Sequence, residues 1–363
     1  MRVLLVAVPL TARSGVYHSA IDLVRAARRA GDSWRCVLGL RPTASGVPVE
    51  DPDVTEYVVR EHGGRILTRT RDLIGRHLDG VDVVITLIPQ SDIAASSMSL
   101  PVAHVAWVRG LPWPGRSEQG RTKTALQLLL ETRALRRADD VWATSPLLAH
   151  QVARARAAHV VQAGVPLLER SQDGATAGPL VWAGRLSVEK GPDVLVEIAR
   201  RTAHPTVVFG AGPLAERIAA EAPDAVSIEP WASPADVWRR PGIALTTSHR
   251  DAFGRSPVEA ASAGMPIVVS EQTGVAPMLF TDPDLAASFV LPLHDLDAWE
   301  RAIRSLVSDV DLRRAVSDHV HANAQHLSIK ASFDAARARL RTFTSDQALP
   351  DPLPNNPRTH ADL

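Results

Sequence analysis

Two segments in the second half of the chain place charged side chains directly after short apolar runs that are typical of strands. In the first, Arg185 and Lys190 follow the apolar run 180–183. Pro192 comes next and suits the first turn of a helix. Side chains at the carboxyl ends of parallel strands lie where open α/β folds bind ligands. A guanidinium and an ammonium beside a helix N-terminus could neutralise a diphosphate, although two solvated loop cations would have the same spacing.

The second segment, residues 248–266, has the same order of strand, loop and helix. The backbone amides of Phe253, Gly254 and Arg255 would lie just ahead of a helix N-terminus, whose positive end favours anions. Gly254 has no side chain, so a ligand can approach the backbone closely there. The segment therefore predicts a second place where a ligand meets the edge of the same sheet.

Two carboxylates of this segment each have two interpretations. Glu259 could accept hydrogen bonds from the paired hydroxyls of a ribose, or it could reach back to Ser256 and complete a capping box. Asp251 could bind sugar hydroxyls, or it could be an ordinary solvated loop residue. From spacing alone, both interpretations stay open for each carboxylate.

The elements that would position these side chains follow an alternating pattern. Short apolar, often β-branched runs that we expect to be strands, from residues 3–8 to residues 288–291, alternate with helix-compatible stretches, which predicts parallel βαβ units. A polar, turn-rich stretch at 169–179 separates two such series. We expect an α/β protein with two Rossmann-like domains, 1–168 and 179–330, facing each other across a cleft. The proline-rich end, 346–363, is expected to be disordered.

Composition narrows the classes of function. The 40 basic and 40 acidic side chains cancel, so no broad positive surface would attract nucleic acid. Cys36 is the only cysteine, which excludes an intramolecular disulfide and a cysteine-based metal site. The first apolar run is too short for a signal peptide, and no run approaches the roughly 20 apolar residues of a membrane span. These features favour a cytoplasmic protein that binds small molecules.

Taken together, the charged segments resemble glycosyltransferase family 4, also called glycosyl transferases group 1. The similarity rests on Gly184-Arg185-Leu186 followed by Glu189-Lys190-Gly191, and on Asp251-Ala252-Phe253-Gly254 followed by Glu259-Ala260. Gly264-Met265-Pro266 then precedes the next strand, and the spacing of the two blocks also agrees. The similar region covers about residues 180–270, with weaker similarity at 14–16 and 160–165.

The resemblance implies a GT-B fold, in which a final helix, here about 331–345, crosses back to the first domain. It implies a nucleoside-diphosphate sugar of UDP or GDP type as donor, with neither a metal nor another cofactor. Arg185 and Lys190 would contact the donor diphosphate. Glu259 would contact its ribose and Asp251 the transferred sugar. The complete expected donor set is Gly15, Gly184, Arg185, Lys190, Asp251, Phe253, Gly254, Arg255 and Glu259, with the base near Pro230 and Trp231.

Three positions depart from the family pattern. Asp251 stands where glutamate is usual, and Ser14-Gly15 stands where many members have two glycines. Trp107 aligns with a frequent active-site histidine, so His18 and His104 become the candidate catalytic histidines. On a regular strand, residues 104 and 107 point to opposite faces, which favours His18 beside the donor loop.

We therefore expect a retaining glycosyltransferase whose acceptor is a small soluble sugar, cyclitol or natural-product molecule. Arg109, Trp113 and Arg116 lie in a loop rich in Gly and Pro that could shape the acceptor pocket. A lipid or glycan acceptor at a membrane surface is the alternative, because 121–137 combines leucines with basic residues. A sugar-nucleotide-binding protein without transferase activity is the alternative of another class, since Trp107 replaces the histidine.

Overall fold

The computed structural model describes residues 1–13, 15–44, 46–110, 121–171 and 175–346. These residues form two parallel β-sheets, each packed against helices. The expected α/β class with two Rossmann-like units is therefore confirmed. The predictions for Trp113, Arg116 and the end of the chain beyond 346 lie outside the described residues.

The first sheet has the strand order β3-β2-β1-β4-β5-β6-β7, and all of its described neighbours run parallel. Its strands are β1 (Arg2–Leu10), β2 (Ser33–Leu40), β3 (Val54–Val58), β4 (Val83–Thr86), β5 (Ala103–Val108), β6 (Asp140–Ala143) and β7 (His159–Val160). The helices of this half are α1 (Gly15–Arg29), α2 (Gly64–Arg76), α3 (Pro89–Ser96), α4 (Arg121–Arg137) and α5 (Pro146–Val152). Alternate residues of β1 enter two different cores, so both faces of the sheet are covered.

The second sheet has the order β10-β9-β8-β11-β12-β13, again parallel throughout. Its strands are β8 (Leu180–Ala183), β9 (Thr206–Phe209), β10 (Val226–Glu229), β11 (Ile243–Thr246), β12 (Ile267–Ser270) and β13 (Val290–Leu291). Its helices are α6 (Pro192–Thr202), α7 (Ala215–Glu221), α8 (Pro234–Trp238), α9 (Arg255–Ser262), α10 (Ala276–Leu279), α11 (Pro283–Phe289), α12 (Leu296–Ser308) and α13 (Val310–Ala324). The two strands that precede the charged segments, β8 and β11, are direct neighbours.

The last helix, α14 (Ile329–Asp346), packs on the first half of the molecule rather than on the second sheet. Phe333 meets Trp34 edge to face, with ring centroids 5.1 Å apart. Arg337 pairs with Asp32 at 2.7 Å, and Arg339 pairs with Asp140 of β6 at 2.9 Å. The chain therefore returns to the first sheet after it has completed the second.

Two strand predictions differ from the structure at sheet edges. The edge strand β3 was not expected, because half-exposed residues on both of its faces give Val54–Val58 no clear apolar alternation. The run 288–291 was expected to be a strand, but α11 extends through Phe289. Asp282 caps α11 by accepting hydrogen bonds from the amides of Asp284 and Leu285, so the helix begins earlier and includes residues 288 and 289, while Val290–Leu291 forms the strand β13.

Candidate active site

A large cleft opens between the carboxyl ends of the two sheets and encloses a cavity of about 860 Å³. This volume is within the range of small-molecule sites in proteins. Most of the site residues expected from sequence line it. They are Gly15, His18, Arg109, Gly184, Arg185, Lys190, Trp231, Asp251, Phe253, Gly254, Arg255 and Glu259. Pro230 and His104 are absent from this lining.

Lys190 lies at the edge of the second sheet, at the end of a short 3-10 turn between β8 and α6. Its Nζ donates a hydrogen bond to Asp251 Oδ2 at 2.5 Å. Gly191 follows with a φ of 63°, and a Cβ there would come within 2.0 Å of the Thr247 carbonyl oxygen. Only glycine therefore allows this turn to pack against the end of β11 and to hold Lys190 beside Asp251.

Thr247 fastens the same turn to the sheet. Its hydroxyl donates to the carbonyl oxygen of Gly191 at 2.8 Å and accepts from Trp182 Nε1 at 3.1 Å. Thr247 is buried, and Trp182 is buried in the hydrophobic core around the second sheet. The position of Lys190 is consequently set by packed groups, so a ligand would meet it without much reorganisation.

Helix α9 begins at Arg255, after Gly254 in the left-handed conformation with a φ of 95°. A Cβ on Gly254 would lie 2.6 Å from Thr273 Cγ2, so the loop packs too tightly for any other residue. The structure brings Gly254, Arg255 and the start of the helix into the cleft, as the sequence predicted. Anions are favoured at such a helix end.

The capping-box interpretation of Glu259 is wrong. Ser256 lies inside α9, and its hydroxyl donates to the carbonyl oxygen of Ala183 at 3.0 Å instead of capping the helix. Glu259 faces the cleft with only 12% of its side chain exposed, and it lies 3.5 Å from Arg255 Nη2. Burial raises the pKa of Glu259, and the nearby Arg255 charge opposes that shift. Its carboxylate is thus available to accept hydrogen bonds from a ligand.

Arg185 also lines the second-sheet side of the cleft, but it differs from Lys190 in its surroundings. Its side chain is exposed and has no carboxylate partner among the described residues. Together, Arg185 and Lys190 place two positive charges at the end of β8, close to the start of α9. Such an arrangement can stabilise a bound diphosphate and the extra charge it gains on leaving.

His104 is not a cleft residue, which corrects its inclusion among the catalytic candidates. It is buried, and its Nε2 is hydrogen-bonded to the hydroxyl of Thr86 at 2.8 Å. Burial lowers the pKa of His104 to about 4. Trp107 is also buried, and its Nε1 donates to the carbonyl oxygen of Val161 at 3.0 Å. The two side chains point to opposite faces of β5, so neither can replace the other.

His18 does reach the cleft, where it lies exposed on the first turn of α1. Gly15 begins the same helix, and the Cδ of Arg255 lies 3.2 Å from where a Gly15 Cβ would be. Arg255 therefore spans the cleft from the second sheet to the N-terminus of α1. Of the two candidate histidines, His18 is the one that lies in this cleft.

Trp231 lies at the rim of the cleft with 69% of its surface exposed, while the neighbouring Pro230 does not line the cavity. An exposed indole at the edge of a cavity offers a flat apolar surface to a planar ring. Of the two residues expected near the base, only Trp231 therefore lines the cleft.

One charged cleft residue was not found from sequence. Arg13 comes just before α1 and lines the cavity. Its Nη2 is 2.7 Å from Glu56 Oε2, at the edge strand β3 that was itself not expected. The position of Arg13 beside Ser14-Gly15 was the available signal, but its partner could not be recognised without β3.

The part of the chain that the structure describes contains no group of three or more His, Cys, Asp or Glu side chains placed to hold a metal ion. In that part, no helix is both long enough and apolar enough to cross a membrane.

Residues 98–340, two thirds of the chain, match the model of a family described as family 4 glycosyltransferase in conflict systems. This chain belongs to that family. It is also 27% identical over 177 residues to a D-inositol 3-phosphate glycosyltransferase of Xylanimonas cellulosilytica. That match covers 44% of this chain and 40% of the relative's length.

Solved structures of glycosyltransferases share the fold. The chain superposes on sucrose-phosphate synthase from Thermosynechococcus elongatus with a TM-score of 0.78 at 17% identity, over 95% of this chain and all of the other. It superposes on HepE from Anabaena, in complex with UDP and glucose, with a TM-score of 0.74 at 15% identity, over 94% of this chain and all of the other. The chain thus has the GT-B fold of its family.

Proposed function

We propose that this family 4 glycosyltransferase moves a sugar from a nucleoside-diphosphate sugar to a hydroxyl of a small soluble acceptor, with retention of anomeric configuration. The observation that carries the proposal is the convergence of Arg185, Lys190, Gly254 and Glu259 on one cavity between the sheets. Cations and a helix N-terminus suit the diphosphate, while a carboxylate suits the ribose. The donor is a UDP or GDP sugar, as the HepE complex with UDP and glucose supports for the former.

Each donor part has a residue suited to it. Arg185 and Lys190 neutralise the diphosphate, and the amides at the start of α9 face its oxygens. Asp251 accepts hydrogen bonds from the sugar hydroxyls while Lys190 holds its carboxylate in place at 2.5 Å. Trp231 packs against the base. No metal or further cofactor enters this proposal.

The chemical step is a substitution at the anomeric carbon. The acceptor hydroxyl oxygen forms the new bond on the face from which the diphosphate leaves, and the bonding electron pair passes to the departing phosphate oxygen. That oxygen takes the proton of the acceptor hydroxyl. Arg185 and Lys190 stabilise the negative charge that develops on the diphosphate. Closure of the cleft around Gly15 would exclude water and limit hydrolysis.

Nucleotide release with paired sets of donors and acceptors tests this function. Turnover of at least one UDP or GDP sugar, with an α- or β-linkage matching that of the donor by NMR of the product, would support it. Binding of a nucleotide sugar without any turnover would favour the non-catalytic binding protein. Cytoplasmic location belongs to the same proposal, since the single cysteine, Cys36, is a free thiol and such thiols suit a reducing compartment.

A lipid acceptor is the second candidate, because α4 carries exposed leucines. Leu126 and Leu129 are 58% and 63% exposed, and Arg133, Arg136 and Arg137 are exposed further along the same helix. An apolar face beside basic residues can lie on an anionic membrane. Co-sedimentation with vesicles containing phosphatidylglycerol tests this candidate. Equal binding by the wild type and by Leu126→Ser/Leu129→Ser would contradict it.

A further inference from the structure

Arg109 is a buried cation that lines the cleft with one of its terminal NH2 groups lacking a hydrogen-bond partner in the described structure. It follows β5, and only 7% of the residue is exposed. Its Nη2 donates to the carbonyl oxygen of Ala163 at 2.9 Å, and its guanidinium lies 4.5 Å from the centre of the Trp107 ring. Its Nη1 is buried and has no hydrogen-bond partner among the described residues. A buried charge without a counter-charge is strongly unfavourable, so this position favours a bound anion.

The cations that line the cleft are not all paired with carboxylates. Among the described residues, the cleft-lining cations are Arg13, Arg109, Arg185, Lys190 and Arg255. Arg13 pairs with Glu56, Lys190 with Asp251, and Arg255 with Glu259. Arg185 sits at the second-sheet edge, where the donor diphosphate is proposed to bind. Among these described cations, Arg109 is then the one that neither forms a salt bridge with a carboxylate nor lies at the proposed diphosphate position; Asp22 acts on it only through its charge.

Arg255 approaches Arg109 from the opposite sheet. Its Nη1 is also buried without a hydrogen-bond partner in the described structure, and its side chain passes beside Gly15. Burial and, after it, the charge of Arg255 together lower the pKa of Arg109 to about 9, while Asp22 acts in the opposite direction. Two cations near enough to repel each other, each with an unused N–H group, form a cradle for an oxyanion.

We propose that Arg109 and Arg255 bind an anionic group, a phosphate or a carboxylate, on the sugar acceptor. This rests on the proposed transferase function. The anion is assigned to the acceptor because Arg109 belongs to the first sheet, across the cleft from Arg185 and Lys190. The planar guanidinium of Arg109 is held by Trp107 and Ala163, so it is oriented before the ligand arrives. The acceptor hydroxyl that reacts would then be positioned by the charged group of the same molecule.

The test measures binding of glucose 6-phosphate, glucuronate and glucose, by calorimetry, to the full chain saturated with UDP, or with GDP if that is the nucleotide that binds. Saturation fills the diphosphate position, so any remaining anion site is reported separately. Because hydrogen bonds to charged groups contribute about 1.5–3 kcal/mol, we expect at least one anionic probe to bind ~10-fold or more tightly than glucose. Arg109→Gln should remove that preference. Arg304→Gln, which removes an equal charge from the exposed face of α12, should retain it.

Two outcomes overturn the proposal. Equal binding of glucose and of both anionic probes to the wild type is one, and an undiminished preference in Arg109→Gln is the other. If Arg109→Gln does not fold, Arg255→Gln takes its place, since its side chain is more exposed and its loss should still reduce the preference by several-fold.

A donor arm separates the two possible sources of the anion. If the wild type turns over UDP-glucuronate faster than UDP-glucose, and Arg109→Gln abolishes that difference, the anion belongs to the donor sugar and the assignment to the acceptor is overturned. Failure of UDP and GDP to bind would instead reject the proposed transferase function. The three probes are therefore also titrated without nucleotide. In that titration, the only comparison is whether Arg109→Gln reduces the preference for an anionic probe over glucose.

Discussion

The two edges of the cleft differ in how their charges are balanced. On the second sheet, Lys190, Asp251, Arg255 and Glu259 form two ion pairs, at 2.5 Å and 3.5 Å, before any ligand is present. On the first sheet, Arg109 is buried without a salt bridge to an acid among the described residues, and Asp22 acts on it only through its charge. The ion-paired groups of the second edge keep their geometry by themselves, whereas the buried Arg109 of the first edge gains most when an anion binds.

In the proposal above, this difference separates two tasks within one cavity. A donor that every turnover must place identically is suited to a preorganised edge. A buried cation that lacks a salt bridge would disfavour acceptors that carry no negative charge. The variants below test whether residues at the edge of the second sheet control donor binding and turnover, and whether residues at the edge of the first sheet control which acceptor binds.

The largest effect is expected for Lys190→Ala. It removes a cation from the proposed diphosphate position, and turnover should fall by roughly 10² to 10³ because the leaving charge is no longer stabilised. Lys330→Ala is the matched control, since Lys330 is an exposed lysine that pairs with Asp334 on α14. Steady-state kinetics and thermal melting are compared. If Lys190→Ala lost stability and turnover in proportion, the residue would be structural rather than part of the donor site.

A smaller effect, on binding, is expected for Glu259→Gln. If Glu259 accepts hydrogen bonds from the ribose, the wild type should bind its nucleoside diphosphate about 10-fold more tightly than the 2′-deoxy form. The variant should bind both forms nearly equally, as measured by calorimetry. Glu300→Gln, which removes a carboxylate paired with Arg304 on α12, should keep the discrimination. Discrimination that survives in Glu259→Gln would remove Glu259 from the ribose position.

The two histidines should separate turnover from stability. His18→Asn changes an exposed cleft residue, so we expect kcat/KM to fall by about 10-fold with little change in Tm. His104→Asn changes a buried residue bonded to Thr86, so Tm should fall while KM for the donor stays the same. A turnover defect in His104→Asn at unchanged stability would contradict the assignment of His104 to the core.

The last prediction concerns stability rather than turnover or binding, at a buried acid behind the first edge. Burial raises the pKa of Asp92 from 3.8 to about 7, a hydrogen bond with Thr86 opposes the shift, and Glu131 adds to it. Since the folded state holds the Asp92 proton up to about pH 7, its contribution to stability is present below pH 3.8 and is lost as pH rises through 7.

Asp92→Asn removes this pH dependence. Relative to the wild type, the variant should gain about 2 kcal/mol of stability between pH 5 and pH 8. His104, whose own pKa is lowered to about 4, is present in both proteins, so its contribution cancels in the comparison. Denaturant unfolding at the two pH values measures the difference. If the variant and the wild type differed by the same free energy of unfolding at pH 5 and at pH 8, a raised pKa for Asp92 would be contradicted.

The second edge could be predicted from sequence because each of its charged segments is continuous. Arg185 and Lys190 follow β8 within seven residues, and Asp251 to Glu259 follow β11, its neighbour in the sheet. Strand, glycine turn and helix start are local signals, and parallel strands bring their carboxyl ends together. Even there, the helix start was placed at Ser256, while Gly254 with its positive φ ends the loop earlier.

The first edge depended on contacts between distant parts of the chain. Arg109 was recognised as a loop residue, but its burial follows from Trp107 and from Ala163, 54 residues further on. Arg13 is held by Glu56 on the edge strand β3, which has no clear alternation. Strand alternation correctly placed the side chains of His104 and Trp107 on opposite faces of β5. It did not show which face of the strand lies toward the cleft.

Calorimetric titration of UDP and GDP into the wild type and Arg185→Ala tests the central claim most directly. We predict that one of the two nucleotides binds the wild type selectively, and that Arg185→Ala weakens that binding by at least ~10-fold without lowering Tm. Binding of neither nucleotide, or equal affinity in wild type and variant, would contradict a donor site at the edge of the second sheet.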